Sequence, residues 1–213
     1  MTTLKTSKQL RKERERCRRR RDIIRAAEIL FATKGFDGLM MDEIALEAGF
    51  SKATLYKYFE TKEDLFLAMG ASAIHRLCEI LQEDKENGAQ HGVSEMAGSF
   101  FKFLKENKPY MKIINDRIIR KAIGEIMKKE ANGESLTESE NELRINQQNS
   151  LKILIENVSA TLGDHVKQID PLTVAVALSN IFIGMGNDLI NREILMTQTD
   201  DDTKNQIQLN LIP

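Results

Sequence analysis

The nineteen residues from Met41 to Phe59, MDEIALEAGFSKATLYKYF, constrain the fold more than any other part of this chain. Apolar residues from Ile44 to Ala48 predict a short helix, and Gly49 ends it with a tight turn. Ser51 suits the N-cap of a second short helix, because its hydroxyl can accept a hydrogen bond from a backbone N–H of the first turn. Leu55 and Phe59 lie four residues apart on one face of that helix, so we expect both in the core. The pattern is typical of a helix-turn-helix.

Helical periodicity continues through the rest of the chain, which contains only three prolines. An earlier helix carries the apolar face of Ile23, Ile24, Ala27, Leu30 and Phe31, and Gly35 is expected to cap it with a positive φ. Thr61 opens a long fourth helix that reaches about residue 85. Further helices are predicted at about 93–106, 109–129, 136–163 and 171–195. The fold class is therefore all-α.

Positive charge is concentrated at the N-terminus. Residues 1–21 contain ten Lys and Arg and two Glu, a local charge of +8, whereas the whole chain has a net charge of −1. Such a distribution forms a directed electrostatic footprint for nucleic acid, although a solvated disordered tail has the same composition. We expect a basic arm at 1–17 that is disordered without DNA, a helix-turn-helix DNA-binding domain at 18–66, and a helical effector-binding and dimerisation domain at 67–213.

The N-terminal third resembles the TetR family of bacterial regulators. The residues that carry the resemblance are, in order, Ala26, Ala27, Leu30, Phe31, Gly35, Phe36, Glu43, Ile44, Ala45, Ala48, Gly49, the run Ser51 to Phe59, and Lys62 to Leu65. They cover about 45 residues with the family's spacing, whereas the remainder matches only in being helical. The resemblance implies a homodimer, a palindromic double-stranded DNA operator, and a small-molecule effector that binds the C-terminal domain and releases DNA.

The expected DNA contacts lie in and beside the second helix of the motif. A lysine at the start of a recognition helix can donate to guanine, and a threonine methyl can pack on thymine. By position in the family, Lys52 and Thr54 would face bases or phosphate, Tyr56 and Lys57 the backbone, and Tyr58 the groove. The whole predicted set is Ser51, Lys52, Thr54, Tyr56, Lys57, Tyr58 and Lys62.

Four positions depart from the family pattern. Leu39 and Met40 stand where Thr or Ser is usual, so a helix cap and a phosphate contact are expected to be missing. Asp42 stands where a basic residue is common, and its carboxylate would repel phosphate. Ala53 replaces a frequent Gly and should favour the helix slightly.

The C-terminal domain offers weaker signals. Aromatic, methionine and polar residues suggest an effector pocket, although the apolar residues among them would also suit an ordinary hydrophobic core. The predicted pocket residues are Phe103, Tyr110, Met111, Arg117, Met127 and Asn180. The apolar helix 171–195 is the predicted dimer interface, and an ordinary buried helix is the alternative. The predicted interface residues are Val174, Leu178, Ile181, Phe182 and Met185.

Other classes of protein receive little support. The sequence has no nucleotide-binding loop, nucleophile elbow or zinc-protease motif, so we do not expect an enzyme. His75 and Cys78 lack a second pair of ligands, and we expect no metal or cofactor. No signal peptide or membrane-spanning run is evident, which favours a cytoplasmic protein. The alternative to a ligand-responsive repressor is an architectural nucleoid or cell-division DNA-binding protein that has a protein partner.

Overall fold

The computed structural model describes residues 6–86, 92–162, 170, 172–186 and 188, and every regular element among them is a helix. The all-α prediction is therefore confirmed. The first eight helices are α1 Ser7–Lys34, α2 Met41–Glu47, α3 Lys52–Tyr56, α4 Lys62–Glu86, α5 Val93–Glu106, α6 Lys108–Ile114, α7 Arg117–Ala131 and α8 Glu138–Leu162. A ninth, α9, spans residues 172–186. No helix in the described part of the chain is long and apolar enough to cross a membrane.

Helix α1 includes residues 7–17 of the expected basic arm, since its first residue is Ser7 and it continues without a break to Lys34. Thr6 forms a capping box with Gln9: the Thr6 hydroxyl accepts from the Gln9 N–H, and the Gln9 side chain accepts from the Thr6 N–H. Arg19 pairs with Glu15 at 2.8 Å one turn earlier, which further stabilises the helix. Mutual repulsion among the arginines is thus offset by the cap and by acidic partners.

The chain divides into two compact units. Unit 1 contains residues 1–74 and 116–147, and unit 2 contains residues 75–115 and 148–213. The division falls within α4 and within α8, and it differs from the domain boundary after residue 66 that the sequence predicts. Unit 1 therefore contains α7 and the start of α8 in addition to the helix-turn-helix.

The predicted helix from residue 109 to about 129 is wrong, because two helices occupy this segment. Helix α6 ends at Ile114, and Asp116 begins α7 by accepting a hydrogen bond of 2.8 Å from the Ile118 N–H. An aspartate that can cap a helix competes with helix continuation, since its side chain replaces the backbone acceptor. The last residues of the predicted helix 171–195 lie outside the described part of the chain.

The core of unit 2 is built from apolar side chains of α5, α6, α8 and α9. Phe100 and Phe182 contact one another with ring centroids 4.9 Å apart, and Phe103 stacks on Tyr110 at 6.3 Å. Gly186 allows α9 to approach closely, because a β-carbon there would lie 2.8 Å from the Met111 methyl and 3.2 Å from a Leu104 methyl. Burial of this aromatic and methionine cluster supplies the hydrophobic stabilisation of the unit.

Candidate nucleic-acid interface

Helices α2 and α3 and the turn between them form the predicted helix-turn-helix. Gly49 has φ +71°, a conformation that glycine adopts without steric cost, and so it reverses the chain after α2. Ser51 is the N-cap of α3, as expected, and its hydroxyl accepts from the Thr54 N–H at 3.2 Å. The Ser51 and Thr54 hydroxyls also lie 2.9 Å apart, so these two side chains bond to each other in the free protein.

Helix α3 has one buried and one exposed side. Leu55 and Phe59 are fully buried, which confirms their assignment to the core. Lys52 and Lys57 are exposed, and Tyr56 has 42% of its surface exposed although it is a large aromatic residue. Thr54 and Tyr58 are half-buried. Burial of the opposite side holds the short helix in place, so its exposed cationic and phenolic groups form a fixed pattern.

The first turn of α2 begins without a side-chain cap. Met40 occupies the N-cap position with φ −119° and ψ 131°, and its side chain makes no cap hydrogen bond, in agreement with the expectation for this position. Asp42 and Glu43 follow in the first turn, where carboxylates interact favourably with the helix dipole. Asp42 contacts Lys52 of α3, and Glu43 contacts Lys34 of α1 at 2.7 Å.

Lys62 differs in environment from the other predicted DNA contacts. Its ammonium donates to the carbonyl of Phe36 at 3.0 Å and to that of Leu39 at 3.3 Å, and it lies 4.4 Å from the centre of the Phe36 ring. The side chain thus closes the loop between α1 and α2. A phosphate contact by Lys62 stays a prediction, and it would share this ammonium with the two carbonyls.

Helix α1 brings a basic surface next to the motif. Residues 6–19 are all exposed, whereas Arg20 is buried. The Arg19 guanidinium lies 6.0 Å from the centre of the Phe50 ring, in the turn before α3. Arg16 forms a two-pronged pair with Glu138, and this hydrogen bond lowers the pKa of the Glu138 carboxyl. One side of the basic helix is therefore held by the start of α8, and its other side is exposed.

Arg20 is a structural residue, although in the sequence it belongs to the positively charged run of residues 1–21. Its guanidinium bonds Ser139 at 3.0 Å and Glu142 at 2.7 Å, and it lies 4.3 Å from the centre of the Phe59 ring. Helical spacing could have predicted the burial of Arg20, because Arg20 precedes Ile24 by four residues and so lies on the same apolar face. Its partners on α8 could not be inferred from spacing, since they are about 120 residues away.

The predicted effector residues fall into two groups. Phe103, Tyr110 and Met111 come together in unit 2, with Phe103 and Met111 fully buried. Arg117 and Met127 lie exposed on α7 of unit 1, and Asn180 is exposed on α9. A pocket that joins these three to the buried aromatic residues stays a prediction. All three lie on the solvent-facing sides of their helices, and residue type alone does not predict which side of a helix faces solvent. Two open depressions of about 410 and 510 Å³ lie elsewhere, against residues 130–144 and the first turns of α1.

The predicted dimer residues are also divided by helix periodicity. Phe182 is buried against Phe100 within unit 2, so this chain does not expose it for a dimer contact. Ile181 and Met185 are 53% and 42% exposed, whereas Val174 and Leu178 are half-buried. Helix α9 also exposes Leu172 and Val176, which the sequence analysis had not selected. By helical spacing Ile181 and Met185 lie on one flank of the buried side of α9, and Leu172 and Val176 lie on the other flank.

The two residues considered for metal binding, His75 and Cys78, lie in different environments. His75 lies 3.5 Å from Glu79 on an exposed face, whereas Cys78 is buried. Burial raises the pKa of the Cys78 thiol to about 11, so it stays protonated near neutral pH and is a poor metal ligand. No cluster of three or more His, Cys, Asp or Glu suited to a metal ion occurs among the described residues.

Comparison with known proteins identifies the N-terminal domain. Residues 23–69 match the family described as bacterial regulatory proteins, tetR family. A segment of 51 residues is 43% identical to the HTH-type transcriptional activator FasR of Mycolicibacterium smegmatis, covering 24% of this chain and 23% of that protein. A segment of 66 residues is 30% identical to the HTH-type transcriptional repressor AcnR of Corynebacterium diphtheriae, covering 31% and 35%. The chain thus matches about a quarter to a third of the length of these relatives.

Similarity over more of the chain is seen only at the level of fold. The structure of the fatty acid degradation regulator FadR from Bacillus halodurans superposes with a TM-score of 0.62 at 16% identity. The superposition covers 83% of this chain and 86% of that one. Together these matches confirm the resemblance to the TetR family that the sequence indicates, and the matched relatives are transcription regulators rather than enzymes.

Proposed function

We propose that this chain, whose N-terminal domain is that of the TetR family, binds double-stranded DNA through α3 and regulates transcription. One observation carries the proposal. Lys52, Tyr56 and Lys57 are exposed on a helix that is held from the opposite side by the buried Leu55 and Phe59. A short helix presented in this way fits the major groove, with cationic and phenolic groups directed toward acidic and polar edges.

Within this proposal, α3 divides into residues that read sequence and residues that position the protein. Lys52 begins the helix and can donate to the O6 and N7 atoms of guanine, and the Thr54 methyl can contact thymine. Tyr56 and Lys57 lie on the exposed side toward the end of α3, where a hydroxyl and an ammonium can bond phosphate oxygens. Tyr58, half-buried just after α3, completes the contact at the groove edge.

Helix α1 extends the proposed interface beyond the motif. It forms before DNA binds, so its exposed arginines and lysines need not lose backbone freedom at the moment of association. Each phosphate that they neutralise releases counterions, which strengthens binding to any sequence and makes it salt-dependent. We therefore assign α1 to the backbone flanking the site that α3 reads.

We infer a homodimer from the small size of α3 and from exposed apolar residues on α9. One five-residue helix supplies few base contacts, whereas two related by a dyad read half-sites about 34 Å apart. The exposed Ile181 and Met185 lie one turn apart on α9 and provide an apolar surface for a second copy. Ile181→Glu should yield a monomer in sedimentation velocity, whereas the control Ile29→Glu, on the exposed side of α1, should stay dimeric.

We assign effector binding to unit 2, whose core contains Phe103, Tyr110 and Met111. Methionine and aromatic side chains can repack around an apolar ligand. Because the similar fold of FadR belongs to a fatty acid degradation regulator, a long-chain fatty acid and its coenzyme A ester are the first probes. A ligand that favours the DNA-free state must raise the apparent Kd for DNA by its differential affinity, which a fluorescence anisotropy titration measures.

The deciding experiment is selection of bound sequences from random duplex DNA at near-physiological salt, where phosphate attraction alone does not dominate. A palindrome with half-sites one helical turn apart is expected. Lys57→Gln should weaken binding to all selected sequences alike, whereas Lys52→Gln should also change their ranking. Enrichment of no motif despite tight, salt-sensitive binding would contradict a specific regulator and favour an architectural DNA-binding protein. Once the operator is known, a reporter gene placed behind it distinguishes a repressor from an activator.

A further inference from the structure

An acidic residue holds the first lysine of α3 in the free protein. The Lys52 ammonium lies 2.8 Å from one carboxylate oxygen of Asp42 and 3.1 Å from the other. The pair joins the first turn of α2 to the start of α3, and both side chains are about 60% exposed. This ammonium is also the group to which the proposed function assigns base contact.

The neighbouring acid has a different partner. Glu43 lies in the same first turn as Asp42, and its carboxylate contacts Lys34 near the end of α1 at 2.7 and 2.8 Å. Both acids stabilise the uncapped N-terminus of α2 through the helix dipole. Of these two acids, however, only Asp42 pairs with a cation on α3. Stabilisation of α2 through the helix dipole does not require that pair, so it does not explain why Asp42 contacts Lys52.

We propose that Asp42 is a specificity-determining residue, whose carboxylate stands in for a DNA phosphate and keeps Lys52 from contributing to non-specific binding. The inference rests on the proposed function of α3. An ammonium that leaves a carboxylate for a phosphate exchanges one anionic partner for another, so the exchange gains little free energy. The vacated carboxylate then repels the phosphate backbone. Release of Lys52 is favourable only where a base edge and the surrounding contacts of α3 are correctly placed.

Non-specific binding to mixed-sequence duplex DNA tests this role without knowledge of the operator. The Kd is measured for the full-length protein between about 50 and 200 mM salt, where the slope of log Kd reports the number of phosphates neutralised. The variants are Asp42→Asn, Lys52→Met and both together, with Glu43→Gln as the matched control. Asparagine and glutamine keep the shape of each side chain and remove its charge. Circular dichroism checks that the helical content is unchanged.

Asp42→Asn should tighten non-specific binding by roughly two- to fivefold, the range of one exposed ion pair, and steepen the salt slope by about 0.9. In the Lys52→Met background the same substitution should give a smaller gain and leave the salt slope unchanged, because it removes only the repulsion of phosphate by Asp42 and there is no lysine to release. Glu43→Gln should change neither the affinity nor the slope by a comparable amount.

Two results would overturn the inference. If Asp42→Asn strengthens binding equally with and without Lys52, then removal of a negative charge explains the effect, and the pairing has no role. If Asp42→Asn weakens binding, the carboxylate orients Lys52 toward DNA instead of withholding it. Wild-type protein that binds no duplex at all would refute the proposed function itself, an outcome distinct from both.

Discussion

Replacement of Arg20 by alanine should loosen the start of α8 and the end of the helix-turn-helix together. The Arg20 side chain is only 5% exposed. It bonds Ser139 and Glu142 on α8 and covers the face of the Phe59 ring, which follows α3. One of its nitrogens, Nη1, is buried without a hydrogen-bond partner, so the site also carries a desolvation cost.

The expected loss of local stability is about 3 kcal/mol. Removal of two buried methylenes costs about 1.6 kcal/mol, and loss of the cation–π contact costs about 1 kcal/mol. Loss of the hydrogen bonds to charged Glu142 costs about 2 kcal/mol, because that carboxylate is 39% exposed and can rehydrate. Relief of the unpartnered Nη1 returns about 2 kcal/mol. Ser139 keeps a hydrogen bond with Asp64 and adds little to the loss.

Hydrogen–deuterium exchange with mass spectrometry measures this loss locally, which suits a chain of two compact units. Slowly exchanging amides in peptides covering residues 52–59 and 138–147 should exchange roughly 150-fold faster in Arg20→Ala, the equivalent of about 3 kcal/mol. Arg20→Met is the informative companion. It keeps an aliphatic side chain of similar length beside Phe59 and removes the buried charge, so its loss should be about 1 kcal/mol or less.

Arg16→Ala is the control for surface electrostatics. Its pair with Glu138 is about half exposed on both sides, so exchange should rise no more than about fivefold. Exchange in Arg20→Ala within about threefold of wild type, or a loss in Arg20→Met equal to that in Arg20→Ala, would refute the reasoning. The first result would mean that Arg20 contributes no net stability. The second would mean that charge, rather than packing on Phe59, holds the segment.

Three further predictions concern α2, α4 and α8. Met40→Ser should supply the missing N-cap and raise the thermal stability measured by circular dichroism by about 1 kcal/mol; an unchanged Tm would show that α2 needs no cap. Gly70→Ala should destabilise by about 1–3 kcal/mol in urea titration, because the new methyl would lie 2.5 Å from the buried Ile119 Cδ1. The control Gly124→Ala, with nothing within 4 Å, should be neutral or stabilising. Arg16 lowers the pKa of Glu138, so this carboxyl stabilises the fold above its unfolded pKa and loses the effect as pH falls through the lower folded value. A stability deficit of Glu138→Gln at pH 7 should therefore vanish in acid, and a deficit that persists there would exclude the ion pair as its cause.

Local signals predicted the helix-turn-helix well because the interactions that shape it are themselves local. The Ser51 cap, the positive φ of Gly49 and the i,i+4 pair of Leu55 and Phe59 each depend on residues within one or two turns. Comparison with the family pattern predicted the absent cap at Met40. Composition alone did not predict the helix of the basic arm, because it does not reveal that Thr6 and Gln9 form a capping box at its start.

Site predictions in the C-terminal half depend on the orientation of each helix, which local signals do not give. Residue type nominated Phe182 for a dimer surface and Asn180 for a pocket, yet these residues, two apart on α9, point to opposite environments. Helix periodicity states which residues share a face, but it does not state which face is buried until the neighbouring helices are known.

The sequence by itself determined the helical class, the position of the DNA-binding motif and the family to which that motif is related. Each depends on short-range patterns that any single helix or turn displays. Only the tertiary structure decided that Arg20 is buried under α8, that Asp42 holds Lys52, and that Phe182 belongs to the core of unit 2. These contacts join residues on different helices, up to about 120 positions apart, and packing and electrostatics act through distance in space rather than distance along the chain.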